Sequence, residues 1–316
     1  MKRFAALLSA GLVWSQTPSR APEPPEAMAL ARRAYELARS GNAAEAASSL
    51  REAARLAPRN ALYRAALGGV YERQGKLEEA VAAFEQAVRL DGANVKLREH
   101  LESVSLDYGA VLARERRYRA GLALARQTVA LFSQSSPAYL MLGLFETRNR
   151  ENLAAVSAYR RALELNPESA DASVGLGMAQ SSAGLIQDAE KTFQAGLKRF
   201  PRDAMHRQAY GVLLVKMAET GAAKRSSAVE MLESALKMDP SLAEARYQLG
   251  SLALADDDAA TAAREFALAA ANGLGDSRLH YAYARALRRL GKDREAEQRL
   301  QLFRERKKAE EAGSSP

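Results

Sequence analysis

Cysteine is absent from the 316-residue chain, which excludes a disulfide framework, a thiolate zinc site and a cysteine-linked lipid anchor. Histidine is scarce, with His100, His206 and His280 the only imidazoles. Aromatic residues make up 6% of the sequence and tryptophan occurs once, at Trp14, so the residues that favour β-sandwiches are few. The apolar run from Phe4 to Trp14 falls short of the roughly 20 residues that a membrane-spanning helix needs. No Walker or dinucleotide-binding fingerprint occurs: VGLGMAQ, residues 174–180, has two glycines, but they sit in a helical pattern and follow no strand.

What is present is 47% apolar and 27% charged residues, enough for a sizeable core, with much of the apolar share in alanine. Alanine is the strongest helix former and its small side chain allows close backbone approach, so the composition points to packed helices. The first residues, MKRFAALLSAGLVWSQ, follow a secretory order: Lys2 and Arg3, an apolar run, then small Ser15 before Gln16. A signal peptide over residues 1–15, cleaved after Ser15, is expected, with export to the periplasm or secretion. The mature protein would then contain no tryptophan. The following TPSRAPEPPE reads as an extended proline-rich linker, bounded here as residues 16–26.

The formal net charge is +8, and +6 without Lys2 and Arg3. A basic exported chain meets anionic lipid head groups or acidic wall polymers more readily than nucleic acid, and no nucleic-acid partner is expected. The positive residues are interspersed with acids except in RALRRLGKDREAEQRLQLFRERKK, residues 285–308, where a weak contact with an anionic polymer or membrane surface is the alternative to a solvated helix face.

The chain repeats with a period of 34 residues. Six segments align: NAAEAASSLREAARLAP, KLEEAVAAFEQAVRLDG, NLAAVSAYRRALELNP, LIQDAEKTFQAGLKRFP, RSSAVEMLESALKMDP and DAATAAREFALAAANG. In each, a small residue precedes a large one by four positions and another small residue follows three later, as in Ala46–Leu50–Ala53, Ala80–Phe84–Ala87 and Ala262–Phe266–Ala269. That spacing puts all three on one helical face. Proline then closes several segments, at Pro58, Pro167, Pro201 and Pro240. The intervening segments carry a large residue followed by a small one: Leu67 Gly68, Tyr108 Gly109, Leu142 Gly143, Leu176 Gly177, Tyr210 Gly211, Leu249 Gly250 and Tyr283 Ala284. Glycine inside a helix costs about 1 kcal/mol relative to alanine, so its recurrence points to a second helix crossing close by.

In these residues the sequence resembles the tetratricopeptide repeat family, whose units pair two antiparallel helices with large-small at positions 7 and 8, small at 20, aromatic at 24, small at 27 and proline at 32. The resemblance covers eight units, at 27–60, 61–94, 102–134, 136–169, 170–203, 204–242, 243–276 and 277–310, with residues 311–316 left as a disordered tail. It implies an all-α fold, an α-solenoid of about eight antiparallel helix pairs in a right-handed superhelix. Three departures stand out. Position 4, often tryptophan in the family, varies from Leu30 to His280; the third unit follows an extra VKLREHL at 95–101 that predicts a longer first helix; and the sixth carries extra residues within 219–227.

The resemblance also implies a concave groove lined by first-helix positions 2, 5, 9 and 12, where a partner segment lies. Read across the units, those positions include Leu62, Ala65 and Gly69, then Leu106 and Ala110, Leu140 and Leu144, Val174 and Met178, Gln208 and Val212, Tyr247 and Ser251, and Tyr281 and Arg285. The lysine and asparagine clamp that some relatives use for a terminal carboxylate is absent. The expected partner is therefore a protein or peptide with an apolar or amphipathic segment; the competing expectation is that these residues simply pack between adjacent first helices. The three histidines fall in separate units and are read as helix-surface residues, with no catalytic constellation, no metal site and no cofactor expected. Asp256, Asp257 and Asp258 lack the ligand alternation, central glycine and closing glutamate of a calcium loop and are read as helix caps. The resulting expectation is a non-catalytic interaction scaffold or adaptor, with an enzyme accessory as the weakest reading.

Overall fold

Small–large–small triplets can bury only against a helix that comes within a methyl group's width, and the structure, a computed structural model describing residues 23–218 and 222–313, shows where those helices are. Sixteen helices and no strand occur among the described residues. In chain order they are α1 (Pro25–Arg39), α2 (Ala43–Leu56), α3 (Ala61–Arg73), α4 (Leu77–Leu90), α5 (Val95–Arg114), α6 (Tyr118–Leu131), α7 (Ser136–Arg148), α8 (Asn152–Leu165), α9 (Ala170–Ser182), α10 (Ile186–Arg199), α11 (Ala204–Ala218), α12 (Ala222–Met238), α13 (Ala243–Ala255), α14 (Ala259–Ala271), α15 (Ser277–Arg289) and α16 (Asp293–Gly313). The fold is an all-α helical repeat. The helices form two bodies, one ending at Arg150 and the other beginning at Glu151, so the two helices of the fourth repeat fall one in each.

The signal peptide, its cleavage after Ser15 and most of the proline-rich linker lie outside the described residues. The first helix starts at Pro25, inside the segment bounded as linker, and Glu23 just before it accepts hydrogen bonds from the Asn60 amide and the Tyr63 hydroxyl. The longer first helix of the third repeat is present as the 20-residue α5. In the sixth repeat, residues 222–227 form the first turns of α12. Residues 311–313 are helical too, as the last turn of α16.

Within each body, packing follows the repeat frame. Ala46, Leu50 and Ala53, Ala80, Phe84 and Ala87, and Ala262, Phe266 and Ala269 are all buried. The recurring glycines face the large members of these triplets. A Cβ on Gly68 would stand 2.8 Å from the Phe84 ring, and one on Gly177 would stand 2.6 Å from the Phe193 ring, closer than carbon atoms approach. The third repeat lacks a large residue at this point, with Ala125 in its place; in compensation Phe145 from α7 fills the space over Gly121. Burying a phenylalanine in this way stabilises by about 1.5–3 kcal/mol per ring.

Helix starts are set by polar caps. The side chains of Asn60, Asn94, Ser135, Ser169, Asp258 and Asp276 each accept from a backbone N–H in the first turn of the helix that follows. The tight turn inside a repeat places one residue in the left-handed region. Gly41, Gly75, Gly184 and Gly291 hold it without strain, whereas Arg116 (φ 58°), Arg150 (φ 65°) and Asp257 (φ 64°) hold it with a side chain.

Candidate binding cleft on the last two repeats

The expected groove residues do not share one environment. In the first body Ala65 and Gly69 are buried, Leu62, Leu106, Leu140 and Leu144 are half-buried, and Ala110 is exposed. In the second body Val174 belongs to the core with Phe193, Ala209 and Leu213, so a partner cannot reach it. Gln208 is buried as well, and its side-chain oxygen accepts from the backbone N–H of Ala245 at 3.2 Å, binding α11 to the first turn of α13. For Ala65, Val174 and Gln208, then, packing between helices takes the side chain that the groove expectation assigned to a partner. Met178 is 51% exposed, Val212 is half-buried, and Tyr281 is 49% exposed.

Tyr247, Ser251, Tyr281 and Arg285 do come together. They line a cleft of about 370 Å³ between α13 and α15, with Leu254, Ala255, Arg278, Ala282 and Arg289. The two tyrosines are braced from behind by aromatic residues of the second helices: Tyr247 lies 5.8 Å from Phe266 on α14, and Tyr281 lies 5.4 Å from Phe303 on α16. Ser251 donates its hydroxyl to the Tyr247 carbonyl at 2.9 Å, one turn back, and is turned into its own helix.

The arginines differ in their commitments. Arg278 lies over the Tyr247 ring at 5.0 Å and bonds Asp276 at 2.6 Å and Glu244 at 3.2 Å. Burial works against its charge, but the hydrogen bond to Asp276 and the field of Glu244 outweigh it and hold the guanidinium above its ordinary pKa. Arg289 donates to the Leu254 carbonyl at 2.7 Å and to Asp257 at 2.7 Å. Arg285, between them on the same helix, has no hydrogen bond or ion pair among the described residues. Arg278 and Leu254 sit at positions 2 and 12 of their repeats, within the groove pattern stated above, and Arg289 sits one place beyond it; the signal for two of the three was the position alone.

The histidine reading requires correction. His206 and His280 are buried, and His100 is half-buried. His206 packs at 5.1 Å from Phe200 and occupies the space over Gly196, with Nδ1 3.1 Å from an Asp203 oxygen. His100 stands edge-on to Phe84 at 4.5 Å, with Nε2 2.9 Å from Glu72. Burial, reinforced by Arg299 and Arg306, pushes the His280 imidazole below its ordinary pKa. An imidazole is flat enough to pack like an aromatic ring, which a polarity-based reading of the sequence overlooks. The aspartate run splits three ways: Asp256 pairs with Arg225 at 2.7 Å, Asp257 with Arg289, and Asp258 caps α14 through the Thr261 N–H at 2.9 Å.

Comparison with known families agrees with this architecture. One tetratricopeptide repeat family matches residues 147–213, and another matches residues 29–95, 109–170 and 221–277, more than half of the chain. The chain belongs to the tetratricopeptide repeat family. No curated protein matches it in sequence. Among solved structures, a tetratricopeptide repeat protein from Parabacteroides merdae is similar at 20% identity and a TM-score of 0.53, covering 84% of this chain and 100% of that one. The thermophilic tetratricopeptide repeat protein TTC0263 of Thermus thermophilus is similar at 21% identity and a TM-score of 0.51, over 59% of this chain and 98% of its own. A human IFIT1 dimer with PPP-AAAA gives 17% identity and a TM-score of 0.55, over 95% and 71%. At these identities the likeness is one of fold, and the tetratricopeptide repeats of this chain carry their own surface chemistry.

Proposed function

We propose that this tetratricopeptide repeat protein is a non-catalytic scaffold that holds a segment of a partner protein against its first helices, with the cleft between α13 and α15 as an anchoring point. The observation that supports this reading is that Tyr281 and Arg285 are exposed, and line one cleft with Tyr247, which is half-buried against Phe266. A preformed surface of this kind binds without an ordering cost on its own side. The repeat family supports protein binding in general. The sequence of residues 1–15 supports an exported location for this role, and recovery of protein lacking Trp14 fluorescence from the exporting cell would test it.

The test of binding is a pull-down with chemical cross-linking, comparing wild type with Met178→Glu and Tyr281→Ala after circular dichroism has confirmed the fold. Loss of the captured protein in either variant is the expected result; capture at the wild-type level by both would overturn the reading. A second reading is favoured by α16, whose exposed Arg294, Arg304, Arg306, Lys307 and Lys308 put positive charge within reach of an anionic polymer or membrane. Binding to anionic vesicles that weakens with salt supports it, and none at low salt removes it.

A further inference from the structure

We infer that the cleft between α13 and α15 receives an acidic side chain of an extended partner segment, paired with the Arg285 guanidinium between the Tyr247 and Tyr281 rings. This rests on the scaffold reading above and names the chemistry of its partner, which the sequence alone suggested was an apolar or amphipathic segment.

The charges of the cleft are what decide the class of ligand. Arg278 is answered by Asp276 and Glu244, and Arg289 by Asp257 and the Leu254 carbonyl. Three arginines thus face three carboxylates, and among the described residues Arg285 is the cation of this cleft left without a partner. A polyanion such as a nucleic-acid strand or a wall polymer would meet Glu244, Asp276 and Asp257 as well as the arginines, and would be repelled by them. A single carboxylate meets only Arg285, in a fork geometry that suits it. Flanking apolar side chains find the tyrosine rings, Leu254 and Ala282.

The shape of the cleft selects a segment's interior over its end. Arg278, Tyr281, Arg285 and Arg289 run along successive turns of α15, so the trench extends about 16 Å at 1.5 Å per residue. An extended strand of about five residues fills that length at 3.3 Å each, with a side chain, rather than a chain terminus, placed opposite Arg285, about two thirds of the way along from Arg278.

The experiment is selection of random octapeptides, displayed with their C-termini tethered, on the full-length protein, followed by synthesis of the enriched sequence as amide and as free acid. Enrichment of Asp or Glu beside an aromatic or aliphatic residue is expected. The amide should bind as well as the free acid. Arg285→Gln should weaken binding about fivefold, the worth of an exposed ion pair, and replacing the peptide's Asp or Glu side chain by Asn or Gln should cause the same loss, with no further loss when the two are combined. Arg285→Glu should prefer the peptide with lysine at that place. Enriched peptides that ignore Arg285, carry no acid or require a free C-terminus would overturn the inference and leave the scaffold reading standing. If no peptide is enriched by the folded protein, both fail.

Discussion

Repeat two and repeat seven share an internal frame and differ in what their first helices turn outward. In one, Gly68 lies under Phe84 between Ala80 and Ala87; in the other, Gly250 lies under Phe266 between Ala262 and Ala269, and a Cβ on either glycine would stand 2.8 Å from the ring. Yet positions 2, 5 and 9 are Leu62, Ala65 and Gly69 in repeat two, apolar and half-buried or buried, and Glu244, Tyr247 and Ser251 in repeat seven, all half-buried, with Tyr247 and Ser251 lining a cleft and Glu244 paired with Arg278 beside it. The frame sets the distance between helices, and once that distance is set the remaining positions can vary without altering the fold. Recognition chemistry accumulates there, which is why folds of this kind at about 20% identity say little about one another's partners.

The most forceful way to test the shared frame is to remove its large residue. Phe84→Ala and Phe266→Ala should each cost about 3–5 kcal/mol in urea unfolding, because both rings are completely buried and the cavity cannot collapse around neighbouring alanines. A cost for one less than half that for the other would show that the two repeats are not equivalent. Overfilling should do less damage. Gly177→Leu pushes into the Phe193 ring and should cost about 1–3 kcal/mol, read from the urea midpoint, whereas a neutral outcome would mean that α9 and α10 can separate freely.

A smaller contrast concerns the turns. Arg116 holds a left-handed conformation with no compensating side-chain bond among the described residues, so Arg116→Gly should stabilise by about 1 kcal/mol in thermal melts. Asp257→Gly relieves the same strain but releases Arg289 at the cleft, and should gain less. Equal gains would mean that the Asp257–Arg289 pair contributes nothing.

The mildest effect is that of pH. His280 is held below its ordinary pKa by burial and by Arg299 and Arg306, with Asp276 opposing them. As pH falls, the unfolded chain therefore takes up this proton before the folded one does, and stability that is complete above the unfolded pKa of about 6.5 declines toward lower pH. Melts at a series of pH values should show a shallower decline for His280→Gln than for wild type; parallel curves would refute the assignment.

Much of the frame was legible because each repeat states it locally: a helix's small and large positions lie three or four residues apart, and the 34-residue period supplies repeated confirmation. The longer α5 and the capping role of Asp258 could be read for the same reason. The site was less legible. Val174 and Gln208 share a repeat position pattern with Met178 and Tyr247 but are buried, and the buried histidines resemble surface residues in sequence. Whether a first-helix residue faces a neighbour or a cleft depends on groups roughly a repeat away, as with Gln208 and the Ala245 N–H.

What the sequence determined by itself is the helical repeat, since close packing of small residues is a short-range requirement that every unit must meet on its own. Only the tertiary structure decided the charge of the cleft, because Asp276, a close partner of Arg278, is its neighbour in sequence, whereas Glu244 beside Arg278 and Asp257 beside Arg289 stand a whole repeat earlier in the chain. An arginine's availability is set by which carboxylates lie within about 4 Å, and that is a matter of three-dimensional neighbours rather than of order along the chain.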